Sequence, residues 1–210
     1  MRDPKRELDD HVAVARAVES LLPDLATVGD AVCAALASGG RVYTFGNGGS
    51  AADAQHLAAE LVGRYLRARR PLPAMALSVD PSVVTCIAND YDYDTVFARQ
   101  VEAFARPGDV VIGFSTSGRS PSVVRGLQAG RDAGATTVLF GGGEGGAARA
   151  HADHALLVPS TTTARIQEMH LLMLHVLSER IDAWAAGEDA GPVDAAGKQA
   201  TTDDRRRTAT

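Results

Sequence analysis

Residues 41–50 read RVYTFGNGGS, and they decide the fold. Arg41 to Phe45 is a short β-branched and apolar run suited to a buried strand, and Gly46-Asn47-Gly48-Gly49-Ser50 follows it directly, ahead of a helical pattern starting near Ser50. Glycines at such a junction let the chain turn sharply and approach a ligand, while free N–H groups at the helix start attract an anion. A phosphate is the natural occupant, and a glycine turn needed only for packing is the plain alternative. Gly46, Gly48 and Ala51 also fit the dinucleotide pattern G-x-G-x-x-A, but the acidic residue expected about 20 positions further on is missing, and Asp80 comes too late. No nucleotide cofactor is expected.

Downstream, short apolar runs at Ala74 to Val79, Val110 to Phe114, Thr136 to Phe140 and Ala155 to Val158 alternate with longer helical patterns. That alternation predicts right-handed βαβ crossovers and a mainly parallel sheet in three layers, α/β/α. Upstream, the spacing from about Lys5 to Ser38 predicts two helices parted near Pro23 and stopped by Gly39-Gly40. Residues 1–186 read as a single domain. Residues 187–210 lack apolar periodicity and read as a disordered tail.

With 210 residues the chain can bury one sizeable core, and a formal charge of −5 gives no general attraction to nucleic acid or anionic lipid. The one basic cluster in the body of the chain, Arg67, Arg69 and Arg70, reads as a solvated helix end. No apolar run follows the N-terminal charges and no stretch of about 18 apolar residues is found, so neither a signal peptide nor a membrane span is expected. Two cysteines, Cys33 and Cys86, make no disulfide framework, and the cytoplasm is the expected location.

A second strand, GDVVIGF, ends in Ser115-Thr116-Ser117-Gly118-Arg119-Ser120, with Pro121 opening a helix. Its four hydroxyls suit phosphate oxygens, and the helix end adds partial positive charge. Two such turns at the carboxyl ends of parallel strands favour a phosphorylated small molecule over no ligand. Elsewhere, His56 and Glu60 lie one helical turn apart, and Gln167, Glu168, His170 and His175 interrupt a strongly apolar helix. His56, Glu60, Gln167 and His175 form an N/O set able to hold a divalent metal such as zinc, although a lone histidine amid Leu172, Met173, Leu174, Val176 and Leu177 is more often a core residue. Gln167 and His175 are eight residues apart, ~12 Å of rise and about 80° around one helix. Either the helix begins irregularly at Gln167, or one ligand comes from a neighbouring copy of the chain.

Taken in order, GNGGSAADAQHLAAELVGRY, CIANDYDYDTVFARQVEAF, STSGRS and RIQEMHLLMLH resemble the sugar isomerase (SIS) domain of the phosphoheptose isomerases over roughly residues 5 to 185. The resemblance implies a flavodoxin-like, five-stranded parallel sheet flanked by helices, assembled as a homotetramer with active sites at subunit interfaces. It implies conversion of sedoheptulose 7-phosphate to D-glycero-D-manno-heptose 7-phosphate through an enediol(ate). Asn47, Gly48, Gly49 and Ser50 would line the sugar-phosphate site, Asn89 and Asp90 would contact the substrate, and Ser115, Thr116, Ser117 and Ser120 would hold it chiefly through phosphate. Glu60 and Gln167 would also contact substrate. His56, Glu60, Gln167 and His175 match the zinc positions, and Glu60 and His175 the acid–base pair.

Two departures stand out: Ala164 replaces an Asp found in some members, and Arg119 replaces the Asn of STSGNS. A non-catalytic member of the superfamily that binds the replication initiator DnaA shares the phosphate turns and RIQEMH, but lacks the acid matching Glu60 and the histidine matching His175. This chain has both, which favours the isomerase.

Overall fold

The computed structural model describes residues 3–188, so the expected tail lies outside the described residues from 189 onward. Five strands, β1 (Val42–Gly46), β2 (Ala74–Ala76), β3 (Val110–Ser115), β4 (Thr136–Gly142) and β5 (His154–Val158), form one sheet in the order β2-β1-β3-β4-β5, every pairing parallel. Around it lie α1 (Pro4–Ala17), α2 (Leu22–Ala37), α3 (Gly49–Val62), α4 (Pro81–Asp90), α5 (Ala98–Phe104), α6 (Pro121–Asp132) and α7 (Thr163–Ala185).

Alternation along the strands builds two cores. Val42, Val110, Ile112, Phe114, Val138 and Phe140 face α2, α3 and α7, while Tyr43, Phe45, Val111 and Leu139 face α5 and α6. The chain leaves β1 toward β2 on one side and returns to β3 on the other. That reversal opens a crevice at the carboxyl ends of β1 and β3, where both hydroxyl- and glycine-rich turns emerge.

Two expectations are corrected, the end of β2 and the arginine cluster. β2 stops at Ala76 instead of Val79, because the chain turns into α4, which Asp80 caps by accepting from the Ser82 and Val83 N–H groups. The segment Pro4–Ala37 is long and apolar enough to pass as a membrane-crossing helix by length and composition alone. It is interrupted by a tight 3-10 turn at Val18–Leu21, and α2 turns Leu25, Val28, Val32 and Leu36 into the core. Finally, Arg67 and Arg69 do not sit at a solvated helix end. They lie in an irregular segment after α3, and the side chain of Arg69 is buried against the buried carboxylate of Asp182 at 2.8 Å.

Candidate active site

The turns after β1 and β3 meet over a cavity of about 240 Å³ lined by Asn47, Ser50, Ser115, Thr116, Ser117 and Ser120, with Phe114, Thr163 and Gln167 completing the wall. Gly48 takes φ +58° between β1 and α3, and Gly118 takes φ +61° between β3 and α6, a backbone region costly for any side chain. At Gly118 a Cβ would also run into the backbone of Gly145. Ser115 Oγ accepts from the Gly118 N–H at 3.1 Å and Ser117 Oγ from the Arg119 N–H at 3.2 Å, so the β3 turn is preformed by its own hydroxyls.

The side chain of Asn47 ties the two turns together. Its amide donates to Ser120 Oγ at 2.8 Å and to Ser122 Oγ at 3.0 Å, and its carbonyl accepts from the Tyr93 hydroxyl at 2.8 Å. Ser122 and Tyr93 escaped the sequence reading because their partner is 75 and 46 positions away. Asn89 and Asp90 do not line this cavity. They lie exposed at the end of α4, where Asn89 donates to Asp90 at 2.8 Å, and that helix instead leads into the turn carrying Tyr93.

Beyond the cavity, α3 and α7 cross. His56 Nε2 lies 3.0 Å from Glu60 Oε1 and 3.4 Å from His175 Nε2, and one ligand atom from each residue falls within 4.8 Å of the others. Tyr65 stacks on His175, ring centroids 5.7 Å apart and 23° between planes. Two imidazoles and a carboxylate at this spacing are a donor set that could hold a divalent ion, because each offers one ligand atom within reach of the others.

Gln167 does not join them. The helix is regular from Thr163, so Gln167 stands two turns away from His175, lines the cavity beneath the two turns and packs its amide where a Cβ on Gly49 would sit. An irregular helix start is thereby ruled out. Asp53, one turn before His56 on α3, carries no signal in the sequence: one of its oxygens is buried without a partner among the described residues, and burial, opposed by His56, pushes its carboxyl up to about 6.

Residues 9–142 match the SIS domain family model. Phosphoheptose isomerase of Aquifex aeolicus is 51% identical over 165 residues, covering 79% of this chain and 86% of that protein. The chain belongs to the phosphoheptose isomerase family. Phosphoheptose isomerase 1 of Campylobacter jejuni is 46% identical over 178 residues, 85% of this chain and 96% of the relative. Among solved structures, phosphoheptose isomerase GmhA from Neisseria gonorrhoeae aligns with TM-score 0.80 at 36% identity, covering 85% of this chain and 96% of its own. The Francisella tularensis phosphoheptose isomerase aligns with TM-score 0.82 at 32% identity, covering 85% and 95%.

Proposed function

We propose that this chain is an aldose–ketose isomerase interconverting sedoheptulose 7-phosphate and D-glycero-D-manno-heptose 7-phosphate, for heptose biosynthesis. The observation that carries the reading is the convergence of Glu60 and His175, from two different helices, beside a preformed oxyanion-binding crevice in a chain of this family.

In the proposed chemistry the phosphate lies in the cavity beneath the β1 and β3 turns, held by Ser115, Thr116, Ser117 and Ser120 with the Asn47 turn, and the sugar chain reaches toward α3 and α7. Asn89 and Asp90 approach the substrate only if the end of α4 closes over it. Isomerisation moves one carbon-bound proton between C1 and C2 and one hydroxyl proton between O1 and O2. Glu60 takes the proton from C1 and returns it to C2, and His175 moves the proton between the oxygens. Such division suits a carboxylate with only 18% of its side chain exposed, whose hydrogen-bonding partner is the His56 ring and not His175. A divalent ion, zinc by the donor set, would be held by His56, Glu60 and His175 and would polarise the substrate carbonyl.

We further propose a homotetramer. Leu8 and Val12 of α1 and Leu171, Leu172 and Val176 of α7 are exposed and apolar, a face that closed self-association buries. Gln167 can add to the ion's ligands only from another copy. Residues 1–186 act as one SIS domain, and the free Cys33 and Cys86 suit a cytoplasmic, reducing setting. The test is incubation of purified protein with sedoheptulose 7-phosphate: an aldoheptose 7-phosphate should form, and absence of any turnover alongside DnaA binding would replace the isomerase with the scaffold reading.

A further inference from the structure

Behind the Glu60–His175 pair lies a second, buried polar assembly that the proposed chemistry does not use. Asp182 is fully buried on α7, seven residues after His175 and therefore on the same helical face. One of its oxygens accepts from the backbone N–H groups of Leu66 at 3.0 Å and Arg67 at 2.6 Å. The other accepts from Arg69 Nε at 2.8 Å and, more weakly, from the Tyr65 N–H at 3.4 Å. Burial pushes the Asp182 carboxyl up, but these donors outweigh it and hold the group below the usual carboxylate range.

Arg69 directs its remaining donors at the end of α3 and at the Arg70 carbonyl. Nη2 donates to the Glu60 carbonyl at 2.6 Å, and Nη1 to the carbonyls of Leu61 at 2.9 Å, Gly63 at 3.4 Å and Arg70 at 2.9 Å. Helix ends leave such carbonyls without partners, and a planar guanidinium with five donors can serve several at once. The same cation thus caps the helix that bears Glu60 and pairs with the helix that bears His175. Between those two anchors the chain delivers Tyr65, whose ring lies against His175.

We propose that Arg69, Asp182 and Tyr65 are positioning residues: the Arg69–Asp182 pair sets Glu60 at its working distance from His175, and Tyr65 fixes the plane of the His175 ring. None of the three need touch substrate. Their distances make the coupling direct, since the guanidinium is bonded to the backbone of Glu60 itself and the carboxylate to the backbone of Tyr65. The proposal rests on the assignment of Glu60 and His175 as the acid–base pair. Acid–base catalysis is sensitive to small misplacements, and a relaxed α3 end would slow proton transfer without disturbing the phosphate cavity at the other end of the site.

The experiment uses Arg69→Lys, Asp182→Asn, Tyr65→Ala and Tyr65→Phe in the full chain, assayed with sedoheptulose 7-phosphate in deuterated water. Lysine keeps the charge but cannot reach the Asp182 carboxylate and the α3 carbonyls together. Arg69→Lys, Asp182→Asn and Tyr65→Ala should each lower kcat about tenfold or more with KM changed less than about twofold. Deuterium incorporated per product molecule should rise, because a misplaced pair lets the transferred proton exchange with solvent before it is returned. Tyr65→Phe keeps the stacked ring and should restore both numbers.

A purely structural role lowers the active fraction, and that leaves deuterium per product unchanged. This outcome, or wild-type kcat in folded variants, would overturn the proposal. If the two buried-pair variants do not fold, the Tyr65 pair decides it alone. Wild-type turnover in Glu60→Gln is the separate result that removes the underlying acid–base assignment.

Discussion

The proposed phosphate end of the site is made from two turns, each contiguous in sequence, whereas the proposed catalytic end joins helices whose histidines are 119 positions apart. The first end is mostly backbone and short hydroxyls, preformed by bonds such as Ser115 to Gly118. The second is three long side chains whose meeting depends on how α3 and α7 cross, and on what lies behind them. Binding can therefore survive damage that chemistry cannot, and substitutions at the two ends should separate in kinetics.

The largest effects belong to the catalytic end. Glu60→Gln and His175→Gln should each lower kcat by at least on the order of a hundredfold, the lower range for an acid–base group, while phosphate-ester binding persists. Loss of binding in parallel with turnover would erase the distinction between the ends. Subunit mixing sharpens it: Glu60 and His175 meet within one chain, so mixed oligomers of Glu60→Gln and His175→Gln subunits should stay inactive. Mixing Glu60→Gln with Gln167→Ala should recover activity if a neighbour's Gln167 completes the ion site. Recovery in the first mixture would mean that the pair works across chains after all.

A smaller effect is expected at the phosphate end. Ser117→Ala removes one hydroxyl from the β3 turn, and a hydrogen bond to a charged group is worth about 1.5–3 kcal/mol, so KM should rise about tenfold or more with kcat nearly unchanged. Unchanged phosphate affinity would take that turn out of the site.

The same contrast explains what could be read from the chain alone. The sheet and both turns were legible because each is a local pattern: a run of apolar residues, then glycines or hydroxyls at fixed spacing. Even there, the strand at Thr136 runs two residues past its expected end, because Gly141 and Gly142 pair with Leu157 and Val158 instead of terminating it. His56, Glu60 and His175 could be grouped as chemistry, but Gln167 was grouped with them by type, and only the regular course of α7 parts it from His175. The role of Arg69 is invisible locally, because its partner is remote in the chain. Nothing near residues 67–70 announces a buried carboxylate 113 positions away.

Acid should loosen the two ends in order, the phosphate end first. His170 is fully buried on α7, edge-on to Phe114 and Phe140, with Nε2 3.0 Å from the Gly141 carbonyl oxygen. A carbonyl only accepts, so Nε2 carries the hydrogen, and Nδ1 is buried without a partner among the described residues, which leaves the ring neutral. Burial, offset in part by the Gly141 bond, pulls its pKa from 6.5 down to about 4. Between those values the unfolded chain binds a proton that the folded chain refuses. Stability is therefore full above about 6.5 and falls as pH drops toward 4, by about 3 kcal/mol on the scale of 1.4 kcal/mol per pH unit. Asp182, whose carboxyl is depressed, contributes stability above its unfolded pKa and loses it only below that, so the clamp behind the catalytic end should outlast the His170 contact. Urea unfolding from pH 7.5 to 4 should show the loss, and His170→Gln should flatten the slope across this window. Backbone hydrogen exchange at pH 5 locates it: amides of β4 and the β3 turn should open before those of Leu66 and Arg67. The opposite order, or an unchanged slope in the variant, would place the acid-sensitive element at the catalytic end instead.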